Sequence, residues 1–194
     1  LLHKPMDLRR VVAATGPGPT NSLTPQRSVY FSRHSIARWA EWRGVDILPH
    51  SPKRHHHGIA RSNGMLIAGL QRGVNIDQLA HMLLEGHWRD DADLDDRDTL
   101  IALGNKAGVD AETLVNAAMD PDVQSIYEDN TNEAIRRSVF GSPTYFVDGD
   151  MFYGQDHLEL VERACSKPFA GTWPPAPNTL GGLAKAGTLG NDAP

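Results

Sequence analysis

The chain has 194 residues, 40% hydrophobic and 22% charged, a balance that suits a globular domain with a substantial core and excludes a fibrous protein. Nineteen basic against twenty-four acidic side chains give a net charge of −5, which argues against a general nucleic-acid binder and against an anionic membrane surface as partner. No apolar run approaches the ~20 residues that cross a bilayer and no signal-peptide core opens the chain, so a cytoplasmic protein is expected; the single cysteine, Cys165, leaves no intrachain disulfide, Cys-x-x-Cys pair or Cys-based zinc site.

Leu1 to Pro5 reads as a strand running into a loop. Gly16, Pro17, Gly18 and Pro19 then make a turn-rich segment in which Asn21 either bonds its own backbone or offers its amide, both donor and acceptor, to a ligand. Thr24-Pro25 pairs a capping residue with proline at the first helical position, and the pattern runs to Gly44. Val29, Ile36, Trp39 and Ala40 form its apolar stripe, which predicts a core-facing helix. Val45 to Pro49 reads as an extended linker. In Lys53-Arg54-His55-His56-His57 the adjacent histidines do not share a helix face and no further ligand is identified, so the run reads as a basic, solvated approach to the next helix, not a metal site.

Helical patterns follow over Ile59 to Arg72, over Ile76 to Trp88 behind the cap Asn75, and over Thr99 to Ala107 behind Asp98, with Leu79, Ala80 and Leu83 on an inward face. Asp90, Asp91, Asp93, Asp95 and Asp96 cluster between the last two without the glycine and terminal glutamate of a calcium loop, and read as a solvated acidic loop. Asp110 to Met119 makes a short helix. Asp120-Pro121 opens a longer one to Arg137, with Val123, Ile126, Tyr127 and Ala134 on its packed side.

The most specific backbone information lies in Ser138 to Asp156. Thr144 to Val147 is β-rich, Asp148-Gly149 supplies positive φ for a two-residue turn, and Met151 to Tyr153 resumes an apolar, aromatic strand. Ser142-Pro143 puts a proline, which cannot donate to a ladder, directly before the strand, where a cis bond becomes accessible. Tyr153 alone reads as a core aromatic, and Asp156 reads equally as a helix N-cap and as a binding carboxylate. His157 to Cys165 closes the fold as a helix, with Cys165 expected as a small buried hydrophobe from its spacing to Leu158 and Val161. Proline and glycine dominate after Lys167, so residues 169–194 are expected to be a mobile tail. Periodicity alone gives a mixed α/β protein with a central helical segment.

Val139 to Asp156 resembles, position by position, the thioredoxin-like family of DsbA-type proteins, kappa-class glutathione transferases and 2-hydroxychromene-2-carboxylate isomerases. The isomerase pattern Val-Phe-Gly-x-Pro-Thr, short strand, acidic-Gly turn, aromatic pair and Gly-x-Asp is matched throughout. The resemblance implies a thioredoxin-like α/β domain formed by residues 1–23 and 139–168, a helical insertion over 24–138, and a β-α element expected ahead of Leu1. The family carries its catalytic serine there, so the catalytic residue of this chain is unknown. It further implies a cis Pro143, with the Ser142 backbone meeting the cysteinyl part of glutathione as a neighbouring strand would. Tyr153, Gly154, Gln155 and Asp156 would hold the γ-glutamyl end, and Asn21 would touch a small aromatic carboxylate substrate. Many isomerases have a lysine before the Thr-Gly pair where this chain has Val12 and Ala13, which implies either Arg9 or Arg10 as a compensating charge or a different substrate. The implied activity is a glutathione-dependent cis-trans isomerisation; a kappa-type transferase and a noncatalytic thioredoxin-like module are the alternatives, and a homodimer is what family members commonly form.

Overall fold

The computed structural model describes residues 1–16 and 24–171; Asn21 and most of the expected tail lie outside the described residues. The chain divides into two compact units, Leu1–Phe140 and Gly141–Pro194.

The first unit is helical: α1 (Leu8–Thr15), α2 (Pro25–Val29), a π-helical stretch (Tyr30–Ser35), α3 (Ile36–Arg43), α4 (Ala60–Gln71), α5 (Asp77–Asp90), α6 (Arg97–Lys106), α7 (Ala111–Ala117) and α8 (Pro121–Arg136). Its core sits where α4 meets α7 and α8 and where α6 meets α5 and α7. Met65, Leu79, Leu100 and Leu114 are almost wholly buried there, with Tyr127 at the edge. Gly104 allows one of these close approaches, since a Cβ on it would stand 2.5 Å from the Ala111 Cβ and 2.7 Å from the Met65 methyl.

Leu1 to Pro5 is not the strand expected from the sequence. Strand geometry needs a neighbour to satisfy its main chain, and here side chains of α4 and α8 do so instead. The Asn130 amide donates to the Pro5 carbonyl and the Asn63 amide to that of Met6, each at 3.1 Å. The Asp7 N–H donates to the hydroxyl of fully buried Thr131 at 3.0 Å. Lys4 and Glu133 form an ion pair just upstream. Asp7 then caps α1 by accepting from the Arg10 N–H.

The expected helix from Thr24 to Gly44 is present, Thr24 capping it and Gly44 ending it in the left-handed region at φ 63°. Its expected role as a core helix is not. No residue of α2, the π-helical stretch or α3 is buried; Val29 is 55% exposed and Trp42 83%. An apolar stripe is buried only if another element covers it, and the main packing contacts of these three segments are with one another.

Two caps also differ from expectation. Asn75 accepts from the Asp77 N–H at 2.9 Å, so it closes a turn ahead of α5. Helix α6 starts two residues early, because the carboxylate that meets both the N–H and the hydroxyl of Thr99 is that of Asp96, not Asp98.

The second unit pairs β1 (Thr144–Val147) antiparallel with β2 (Asp150–Tyr153), Thr144 opposite Tyr153 and Val147 opposite Asp150. Asp148 (φ 49°) and Gly149 (φ 91°) make the two-residue turn. Helix α9 (Leu158–Ser166) packs on β1. Its inward stripe runs through Val161 and Ala164, and Cys165, one position further round, is exposed and not the buried hydrophobe its spacing suggested.

Candidate functional site

The open end of the hairpin brings together the two loops singled out in the sequence. Strand pairing puts Thr144 opposite Tyr153, so the chain entering β1 and the chain leaving β2 must run side by side. The Ser142–Pro143 peptide is cis. The Pro143 carbonyl accepts from the Gly154 N–H at 3.0 Å, which carries the ladder one rung past the strands and ties the two loops. The Thr144 hydroxyl donates to the Gly141 carbonyl at 2.8 Å and closes the first loop on itself.

The strand's alternation decides which aromatic is buried. Phe152 points inward, its ring centroid 5.9 Å from that of Phe169, while Tyr153 points to the other face and is 43% exposed. Tyr153 is therefore not the core aromatic expected from composition. Its ring lies over Gly141: a Cβ there would stand 2.3 Å from Tyr153 Cε2 and 2.9 Å from its hydroxyl oxygen.

Gly154 adopts φ +105°, a conformation that side chains rarely enter, and a Cβ there would meet Asp156 Oδ1 at 2.4 Å. The turn thus folds the Asp156 carboxylate back over its own backbone. Asp156 does not cap α9. The capping position belongs to His157, whose side chain makes no capping bond; its Nδ1–H donates to the Tyr153 carbonyl. The Asp156 carboxylate stands 3.8 Å from that nitrogen and is 56% exposed.

All six residues expected at the glutathione half, Ser142, Pro143, Tyr153, Gly154, Gln155 and Asp156, thus lie along two tied loops, with Ser142, Tyr153 and Asp156 exposed and Gln155 half-buried. Gly141 entered the sequence reading only within the Val-Phe-Gly-x-Pro-Thr pattern, and His157 only as the start of the closing helix. The signal for Gly141 was a glycine immediately before Ser-Pro, and that for His157 an imidazole following Asp at a helix start. A cavity among the described residues of this unit, about 50 Å³ lined by Val147, Asp148, Asp150, Ala164, Pro168, Phe169 and Gly171, lies by the turn at the other end of the hairpin and has room for little more than water.

The arginines expected to replace the missing lysine are engaged within the first unit. Arg10 forms a two-pronged ion pair with Glu128, one contact at 2.8 Å, which holds that carboxyl below its ordinary range. Arg9 donates to the carbonyls of His55 and His57.

A family model described as a DsbA-like thioredoxin domain matches residues 1–166. The chain belongs to the DsbA-like thioredoxin family. Among relatives of this DsbA-like chain, a 2-hydroxychromene-2-carboxylate isomerase of Sphingobium xenophagum is 28% identical over 165 residues, covering 82% of this chain and 80% of its own length. Another of that name, from Pseudomonas sp. (strain C18), is 27% identical and covers 82% and 73%. Human glutathione S-transferase kappa 1 is 31% identical over 98 residues, 47% of this chain and 43% of its own. The solved structure of a 2-hydroxychromene-2-carboxylate isomerase superposes with a TM-score of 0.63 at 22% identity, over 93% of this chain and 79% of that one, and has the same fold. The fold is therefore the expected thioredoxin-like one, rendered here as helices with a two-stranded sheet among the described residues.

Proposed function

We propose that this DsbA-like protein is a glutathione-dependent cis-trans isomerase acting on a small aromatic carboxylate of the 2-hydroxychromene-2-carboxylate type, as a cytoplasmic homodimer in aromatic-compound breakdown. The observation that carries the reading is the Gly154–Pro143 tie, which sets an exposed Ser142 beside the cis bond and, on the neighbouring loop, an exposed Asp156. The donor set suits a γ-glutamyl peptide. Extended main chain at Ser142 can pair with the cysteinyl amide and carbonyl. The Asp156 carboxylate can receive the α-ammonium group, and main-chain N–H groups at the start of α9 can meet the α-carboxylate.

Bound glutathione supplies a thiolate that adds reversibly to a conjugated double bond, so that the geometry about that bond can change and the thiol is returned. The residues described hold the peptide's backbone and its charged end. Asn21 is the residue proposed to touch the substrate.

Calorimetric titration with reduced glutathione tests the binding half, and following the two isomers with and without glutathione tests the activity. Asp156→Ala is expected to weaken glutathione about 3- to 10-fold, ~0.7–1.4 kcal/mol, a modest loss because the carboxylate is more than half exposed and screened by solvent. Unchanged affinity would remove Asp156 from the site. Similarity to a protein named glutathione S-transferase kappa supports a second reading, conjugation with release of the product. Accumulation of a stable glutathione conjugate, with no isomer formed, would favour it.

A further inference from the structure

The three consecutive histidines lie in a turn, Pro52 to Gly58, closed by the His55 N–H on the Pro52 carbonyl (3.1 Å) and the His57 N–H on that of Arg54 (2.9 Å). The turn rests on the end of α5. His55 Nδ1 is 3.0 Å from His87 Nε2, and His87 is only 7% exposed. The His55 ring also lies 5.1 Å from that of Trp88.

The far nitrogen of His87 fixes the proton inventory. His87 Nδ1 is 3.0 Å from the Ala92 carbonyl, which can only accept, so Nδ1 carries the hydrogen. In the neutral ring Nε2 is then an acceptor, and the His55 Nδ1–H donates to it. One added proton goes to His55 Nε2 and leaves that bond in place, now charge-assisted. A second must go to His87 Nε2, which turns two N–H groups and two cations towards each other across the same 3.0 Å.

We propose that His55 and His87 form a proton-limited clasp, closed with no added proton or one and opened by the second, which releases the Pro52–Gly58 turn from α5. The surroundings oppose the second charge. On the turn itself are His56, whose ring centroid is 5.6 Å from that of His55, together with Lys53, Arg54 and His57. From α1, Arg9 donates to the His55 and His57 carbonyls. The carboxylates that face the turn from the α5–α6 connection are committed: Asp91 to the Lys53 N–H (2.7 Å) and ammonium group, Asp93 to Arg54 and His57 (3.2 Å each). Asp95 lies along Gly58, and His50 beside Asp91 adds a further imidazole.

Burial first, then His87, His56 and Arg9, hold the His55 pKa below its ordinary value. The folded chain therefore binds fewer protons here than the unfolded one. Stability contributed at His55 is complete above its ordinary value, about 6.5, and declines as the pH falls through its lower, folded titration, while the clasp itself opens only with the second proton. Release also frees the carbonyls that anchor Arg9, while α1 keeps its ties through Asp7 and Arg10, so the opening is local.

Amide hydrogen exchange of the full chain between about pH 8 and about pH 5, corrected for intrinsic rates, tests the clasp above the range where carboxylates titrate. Exchange at Lys53, His55 and His57 is expected to rise about tenfold or more at the acid end, while amides of α4 and α8 keep their protection. His56→Gln should behave as the wild type. His55→Gln should be flat, because an amide side chain can donate to a neutral His87 or accept from a protonated one. Ring nitrogen spectra give a second readout, a coupling across the N–H···N bond at neutral pH that disappears on acidification. A flat wild-type profile, a His55→Gln profile as steep as the wild type, or no coupling at neutral pH would each overturn the proposal.

Discussion

Gly141 is the residue on which the open end of the hairpin depends, because the ring of Tyr153 occupies the volume a side chain would need. Gly141→Ala must push that ring off the loop or shift the loop away from Gly154, and overpacking of this kind typically costs about 1–3 kcal/mol. The cost should vanish where Tyr153 is already truncated. Urea unfolding of Gly141→Ala, Tyr153→Ala and the double variant closes the cycle. A coupling near zero would mean that ring and glycine do not meet in solution. The identity of these residues was legible, their environment was not. The Gly-Ser-Pro-Thr and Tyr-Gly-Gln-Asp strings marked the two loops that the hairpin ties together, but whether Tyr153 is buried depends on the strand's phase and on Phe152 taking the inward position beside Phe169.

Among the elements, the helix caps give a titratable handle. The Asp96 carboxyl is held below its ordinary value by the Thr99 hydroxyl and then the Thr99 N–H, and Asp110 in the same way by Thr113. A carboxyl with a depressed folded pKa binds fewer protons folded than unfolded, so its contribution is complete above the ordinary value, 3.8, and is lost as the pH falls through the lower, folded one. Asparagine accepts the same capping bonds without titrating. The double variant Asp96→Asn, Asp110→Asn should keep its helices at neutral pH and show a flatter fall of melting temperature below about pH 4. An unchanged acid limb would mean that other carboxylates set it. The hairpin was legible because Asp148-Gly149 satisfies a local backbone requirement within two residues. The start of α6 was less so, since Asp96 and Asp98 are both good caps and only the hydroxyl of Thr99 selects between them. Cys165 and the stripe of Val29, Ile36, Trp39 and Ala40 were misjudged for one reason: spacing says which side chains share a face but not what lies against it.

At the scale of the whole molecule, that missing neighbour separates the first unit into regions of unequal stability. Helices α4 and α8 hold fully or nearly buried residues, Met65, Ala68, Val123 and Thr131 among them, so their hydrogen bonds open only when the core does. The run from Pro25 to Arg43 has none. It is fastened by the Arg33 guanidinium on the Pro49 carbonyl at 3.0 Å and, beyond Gly44, by the Leu48 N–H on the Trp88 carbonyl at 2.8 Å. A helix of this length with no packed face is marginal in water, and its opening need expose no core. Hydrogen exchange of the isolated chain should therefore show amides of Tyr30 to Arg43 exchanging roughly three orders of magnitude faster than those of α4, the difference between local fraying and opening against a global stability of about 5–15 kcal/mol. Dilution distinguishes the reason if protection is found. Protection that falls as protein concentration falls means a second copy covers Val29, Phe31, Trp39 and Trp42 in solution, whereas protection equal to that of α4 at every concentration would contradict a helix standing free of the core.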